Sequence, residues 1–179
     1  YIVKEILKRT LVRMLICCVI ALLFCITGNA KVPYIPKIIN YSVSDYKAGN
    51  QNWAVSQGPG GKMYIGNNRG LLVFDGIHWD LVKLPNNLGV RALYISKDGR
   101  IYVGSFEEFG YFEMDDENDL IYHSLSSSEM NVYLNNDEFW TINEYKGEIY
   151  FQSFRSFFIY DGEKVRKGVS DLSPLYIFT

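Results

Sequence analysis

The stretch GKMYIGNNRGLLVFDG, residues 61–76, returns twice in altered form, and this recurrence limits the fold more than any other feature. GRIYVGSFEEFGYFEMD begins at Gly99 and GEIYFQSFRSFFIYDG at Gly147, offsets of 38 and 48 residues. Each copy follows a first run: WAVSQ (53–57), RALYIS (91–96) or WTINEY (140–145). A turn (GPGGK, KDG or KG) leads to the second run, and NNRG, SFEEFG or SFRS leads to an aromatic-rich third run. Asp75-Gly76 and Asp161-Gly162 then supply a two-residue hairpin signal. A more polar fourth run follows, clearest in HWDLVKL (78–84). The spacing predicts four-stranded antiparallel meanders of about 40 to 50 residues, the length of a propeller blade.

A strand with one face in water alternates apolar with polar residues. MYI, LLVF, IYV, IYF and FFIY are apolar on both sides, so both faces of each sheet must be covered. Stacking blades around an axis does this, because each blade packs between its neighbours. A β-sandwich has no reason to repeat its glycine and aromatic positions. The expected fold is therefore all-β, a partial β-propeller of about three four-stranded antiparallel blades, at roughly 50–86, 87–135 and 136–170. Closed propellers typically have about 4 to 8 blades, and three cannot close a ring. IINYSV (38–43) reads as a lone strand that would complete the last blade, and LYIFT (175–179) as the opening of a fourth. Uncovered terminal blade faces would be apolar and prone to self-association.

The first thirty residues form a separate segment. Lys4, Lys8, Arg9 and Arg13 make a basic region, MLICCVIALLFCI (14–26) an apolar core, and Gly28 and Ala30 a small-residue cleavage site. The expected division is a signal-peptide helix over 1–30, cleaved after Ala30 or retained as a membrane anchor, and an incomplete propeller over 31–179. The chain opens at Tyr1, and a start at Met14 would discard the basic region, so the reading frame is expected to begin upstream. All three cysteines (Cys17, Cys18, Cys25) lie in this segment, which leaves the exported part without thiols or disulfides. That part holds 14 basic and 19 acidic side chains, a charge of about −5, which argues against nucleic acid or anionic lipid as partners.

No catalytic constellation and no cofactor or metal site stands out. His78 and His123 fall in outer-strand positions of different units. DDEND (115–119) lacks the spacing and glycine of a calcium loop and reads as a hairpin tip. Glu107 and Glu108, adjacent in extended chain, would point to opposite faces and could not act as a glycosidase pair. In a four-stranded blade the turn between second and third strands and the blade-to-blade connection emerge on one rim, around the channel. Candidate ligand-binding residues on that rim are Trp53, Asn67, Asn68, Arg69, Glu107, Glu108 and Arg155. Their amides, charges and rings suit a sugar or a peptide. The plainer alternative makes Trp53, Phe106 and Phe109 packing residues, and Asn67 and Asn68 a tight turn.

The order of motifs from AGNQNW (48–53) through GSFEEFGYF (104–112) resembles the two-component regulator propeller repeat of large periplasmic sensors in Gram-negative bacteria. The resemblance covers most of the exported part and weakens after residue 125. It departs from the pattern at Gln152, which replaces the glycine found at Gly66 and Gly104 and puts the geometry of that blade in question. The resemblance implies the N-terminal sensor portion of a transmembrane regulator, periplasmic at the inner membrane. It further implies an oligosaccharide ligand, more blades and downstream domains of the same chain, and homodimer formation in the full-length protein. The stretch itself would be no enzyme, although a histidine kinase or a DNA-binding output could follow. An exported propeller-type lyase or hydrolase, or an adhesion or scaffold propeller, is the alternative.

Overall fold

The computed structural model describes residues 2–26, 36–134 and 136–169, and the chain divides into two units, Tyr1–Ile39 and Asn40–Thr179. The first unit holds helix α1 (Ile2–Ile26). Within it the Thr10 hydroxyl donates to the Ile6 carbonyl at 3.0 Å, the back-bond a helical threonine can make one turn away. Among the described residues no helix is long and apolar enough to cross a membrane. Gly28 and Ala30, the expected cleavage point, lie outside the described residues.

The second unit contains three four-stranded sheets. The first holds β1 (Asn52–Gln57), β2 (Met63–Asn67), β3 (Gly70–Phe74) and β4 (Trp79–Val82). The second holds β5 (Ala92–Ile95), β6 (Ile101–Gly104), β7 (Phe109–Met114) and β8 (Leu120–Ser124). The third holds β9 (Phe139–Tyr145), β10 (Glu148–Ser153), β11 (Phe157–Tyr160) and β12 (Val165–Lys167). In each, four consecutive strands pair antiparallel in chain order. The first strands stand side by side, β1 next to β5 and β5 next to β9. These are successive blades of a propeller, as the repeat predicts.

Leu71 and Leu72 show why the alternation fails. They are neighbours on β3, so they point to opposite faces, yet both are 0 % exposed. Leu71 joins Tyr64, Val73, Ile101, Val103 and Phe112 in the seam between the first two sheets. Leu72 packs on the other face with Ile65, Tyr46 and Ala48. The second seam is aromatic: Phe109 lies 4.7 Å from both Phe139 and Phe151, ring centre to ring centre. Each such side chain contributes about 1.5–3 kcal/mol by leaving water.

The lone strand expected at 38–43 does not form. Residues 36–42 have no regular structure, and helix α2 (Val43–Tyr46) follows. The cause is local. The Asp45 carboxylate accepts from the Ser42 backbone N–H at 2.6 Å and from its hydroxyl at 2.7 Å, a capping arrangement that competes with strand pairing. Tyr41 then packs edge-on against Phe74 and Trp79, and Tyr46 and Ala48 cover Ile65 and Leu72. The segment thus lies over the first sheet instead of adding a strand to the last. LYIFT, expected to open a fourth blade, lies outside the described residues.

The repeated glycine marks a close approach. A Cβ at Gly66 would stand 2.9 Å from a Val90 methyl, and one at Gly104 2.6 Å from the Phe139 Cβ. At each site the segment leading into the next sheet leans on bare backbone. Gln152 takes this place in the third sheet, where it pairs with Phe157 and Thr141 in register and is 3 % exposed. The register shifts only beyond it, before Ser153. The third sheet therefore forms despite the exchange.

Candidate ligand site on the inner rim

The second-to-third strand turns stand beside the segments leading into each sheet. The residue that begins each turn is buried and polar: Asn67 and Ser105 are 0 % exposed and Ser153 is 3 % exposed. Asn67 accepts from the Gly49 N–H at 2.9 Å and donates to the carbonyls of Gly49 at 2.7 Å and Gln51 at 3.1 Å. The Ser105 hydroxyl donates to the Gly89 carbonyl at 2.5 Å, and that of Ser153 to the Asp137 carboxylate at 2.5 Å. Each blade thereby fastens its own lead-in segment to the rim. Backbone bonds from Val90 to Asn67 (2.9 Å) and from Phe139 to Ser105 (3.0 Å) then tie neighbouring blades there.

This framework holds three side chains at one level. Ala54 pairs with Gly66, Ala92 with Gly104 and Thr141 with Gln152, so the preceding residues Trp53, Arg91 and Trp140 occupy equivalent places. The Arg91 guanidinium sits 4.4 Å over the Trp53 ring. Trp53 meets Trp140 edge to face at 5.7 Å, and Trp140 contacts Phe154 at 5.6 Å. Asn68 accepts from the Trp53 indole at 2.7 Å and from Arg91 at 2.5 Å, and donates to Gln51 at 2.7 Å. Arg91 also donates to the Glu138 carboxylate at 3.2 Å, so a charge-balanced network spans all three sheets. Among the described residues the Trp140 indole N–H is buried without a hydrogen-bond partner, a cost of about 1–3 kcal/mol.

The predicted site residues separate under this geometry. Trp53 and Asn68 are in the cluster. Arg69 and Arg155 are exposed on the rim of the first and third sheets, with no side-chain partner among the described residues. Asn67 is committed to holding the lead-in segment. Glu107 does not sit in extended chain: its φ of 54° is left-handed, and its carboxylate accepts from the Asn136 N–H at 2.5 Å. Glu108 turns outward and accepts from Tyr122 at 2.8 Å, Ser124 at 2.7 Å and Ser126 at 2.6 Å. Burial, reinforced by this carboxylate, pushes the Tyr122 hydroxyl up and keeps it a donor. Phe109 belongs to the core. Arg91, Glu138 and Trp140 are absent from the sequence-based set, although Trp53, Arg91 and Trp140 each begin the first run of their unit.

The remaining acids and histidines lie elsewhere. The Asp115 carboxylate accepts from the backbone of Glu117 (2.9 Å) and Asp119 (2.8 Å), closing the β7–β8 hairpin tip. His78 lies exposed in the β3–β4 turn, and His123 on the outer strand β8 pairs with Glu113 at 3.0 Å.

No protein-family model matches the chain, and no curated relative does. Among solved structures it is similar to the extracellular domain of the putative one component system BT4673 from B. thetaiotaomicron, with a TM-score of 0.60 and 12 % identity over 75 % of this chain. It is likewise similar to that of the putative hybrid two component system BT3049 from B. thetaiotaomicron (TM-score 0.54, 22 % identity, 78 % of this chain). Each match covers 19 % of the extracellular domain, so the chain spans about a fifth of their length. A third likeness is to a catalytically inactive variant of virginiamycin B lyase from Staphylococcus aureus with quinupristin, with a TM-score of 0.54, 17 % identity, and 76 % of this chain against 45 % of that one. At these identities the likeness is one of fold, and it is the fold that the repeat and its resemblance to sensor propellers lead one to expect.

Proposed function

We propose that this chain is the extracytoplasmic, ligand-sensing propeller portion of a transmembrane signalling regulator, with oligosaccharides as its ligands. The observation that carries the proposal is the Trp53–Arg91–Trp140 set, which gathers ring faces, amides and one ion pair from three sheets at one level. Sugar rings stack on such indoles while their hydroxyls exchange hydrogen bonds with Arg and Asn groups. Exposed Arg69 and Arg155 extend the surface. The fold shared with the extracellular domains of putative one component and hybrid two component systems supports the reading, as does the export-type N-terminus. A periplasmic location at the inner membrane, a kinase or DNA-binding output and a homodimer belong to the same proposal. To signal, the ligand must favour one arrangement of the sensor over another.

Tryptophan fluorescence titration with an oligosaccharide panel tests it. A saturable change is expected in the unaltered chain, and Trp53→Ala is expected to weaken binding about tenfold, or ~1.4 kcal/mol. A panel with no saturable member, or one that Trp53→Ala binds unchanged, refutes it. The lyase likeness supplies the enzymatic alternative. Against it, His78 and His123 stand on a turn and an outer strand, and the described inner cluster offers arginine, glutamate and indole.

A further inference from the structure

The sensing proposal leaves a second recess unused. At the opposite ends of the strands, the seam between the first two sheets opens into a cavity of about 460 Å³. The turns after β1 and after β5 frame its mouth. Tyr64 reaches it from β2: the residue is 3 % exposed, yet its hydroxyl has no hydrogen-bond partner among the described residues. Lys62, beside it in the lining, forms no ion pair among them either.

The other charges of the recess are already engaged. Arg100 Nε lies 3.4 Å from Glu113 Oε2 and 3.8 Å from Asp98 Oδ2. The second Glu113 oxygen meets His123 at 3.0 Å, and Asp98 accepts from the Ser96 hydroxyl. Among the lining residues what remains is the Lys62 ammonium and the Tyr64 hydroxyl, both donors, with Pro59, Ile101 and Met114 as the apolar part of the lining. Burial raises the Tyr64 hydroxyl above its ordinary value, which keeps its proton available to donate. A single spare cation matches a single negative charge, and the nearby Asp98 and Glu113 carboxylates disfavour a dianion such as phosphate. The volume falls within the ~300–1,000 Å³ usual for small-molecule sites.

We propose that this seam binds a small monocarboxylate with an apolar body, its carboxylate held by Lys62 Nζ and Tyr64 Oη and its body laid on Ile101 and Met114. The site is independent of the inner rim. The intact chain is titrated with acetate, butyrate and benzoate, and with butyramide and benzamide as neutral counterparts, following backbone amide shifts. Butyrate and benzoate are expected to saturate, with shifts centred on residues 58–64 and 96–101, and the amides to bind at least tenfold more weakly. Tyr64→Phe, which keeps the ring in place, and Lys62→Gln should each weaken benzoate about tenfold, the effect of losing one bond to a charged acceptor. Trp53→Ala should bind benzoate as the unaltered chain does, so a failed oligosaccharide titration and a failed benzoate titration remain separate results. No saturation by any acid, equal binding of acid and amide, or unchanged benzoate affinity in either seam variant overturns the proposal.

Discussion

At Gly104 a hydrogen in place of a methyl sets how closely two sheets approach. A Cβ there would stand 2.6 Å from that of Phe139, which is 0 % exposed and has no room to retreat. Gly104→Ala should therefore lower stability by about 1–3 kcal/mol, the range for overpacking a closed core, as measured by urea unfolding. Asp75 works through charge. Its carboxylate accepts from the backbone of His78 at 2.6 Å and Ile77 at 2.7 Å, and these bonds hold it down to about 2 from an ordinary 3.8. Because the folded value is the lower one, the stabilisation is present above pH 3.8 and is lost as pH falls through about 2. The side-chain carboxyl ¹³C shift of Asp75 should titrate with a midpoint near 2; a midpoint at the ordinary value would show that the turn does not hold. Of the inner cluster, Trp53 and Asn68 were legible as rim residues. Arg91 was not, because its partner Glu138 lies 47 positions away and meets it only through the curvature of the whole assembly.

Among the elements, the turn-opening residues Asn67, Ser105 and Ser153 decide whether a blade keeps its lead-in segment. Asn67→Ala would leave the Gly49 carbonyl and the Gly49 N–H without partners inside the fold, while the Gln51 carbonyl would keep the Asn68 N–H at 3.1 Å. A loss of about 1–3 kcal/mol is expected, since two partly buried backbone groups lose their partner together. Hydrogen exchange should place the damage first at Gly49. The meanders were readable in sequence because period, turn residues and order all repeat, and agreement between levels of that kind is what specifies a fold. IINYSV was not. Its apolar letters serve equally for a strand or for a covering segment, and the choice falls to the Ser42–Asp45 hydrogen bonds, which no hydrophobic pattern records.

At the scale of the molecule, side chains remain uncovered on the outer two sheets: Val55 is 66 % exposed, Phe154 55 % and Tyr145 47 %. In isolation the chain is expected to self-associate through such surfaces. Sedimentation velocity should show species that grow with concentration; one monomeric boundary across the range would count against it. Each sheet is complete in four consecutive strands, and the backbone bonds between neighbours gather at one rim, from Val90 to Asn67 and from Phe139 to Ser105. At the other rim the seams hold cavities instead, of about 460 and 270 Å³. Three leaves bound along one spine can gape at the fore-edge without tearing a page. A signal carried through such a body would travel as a change in the angle between leaves, with every strand still paired to its neighbour.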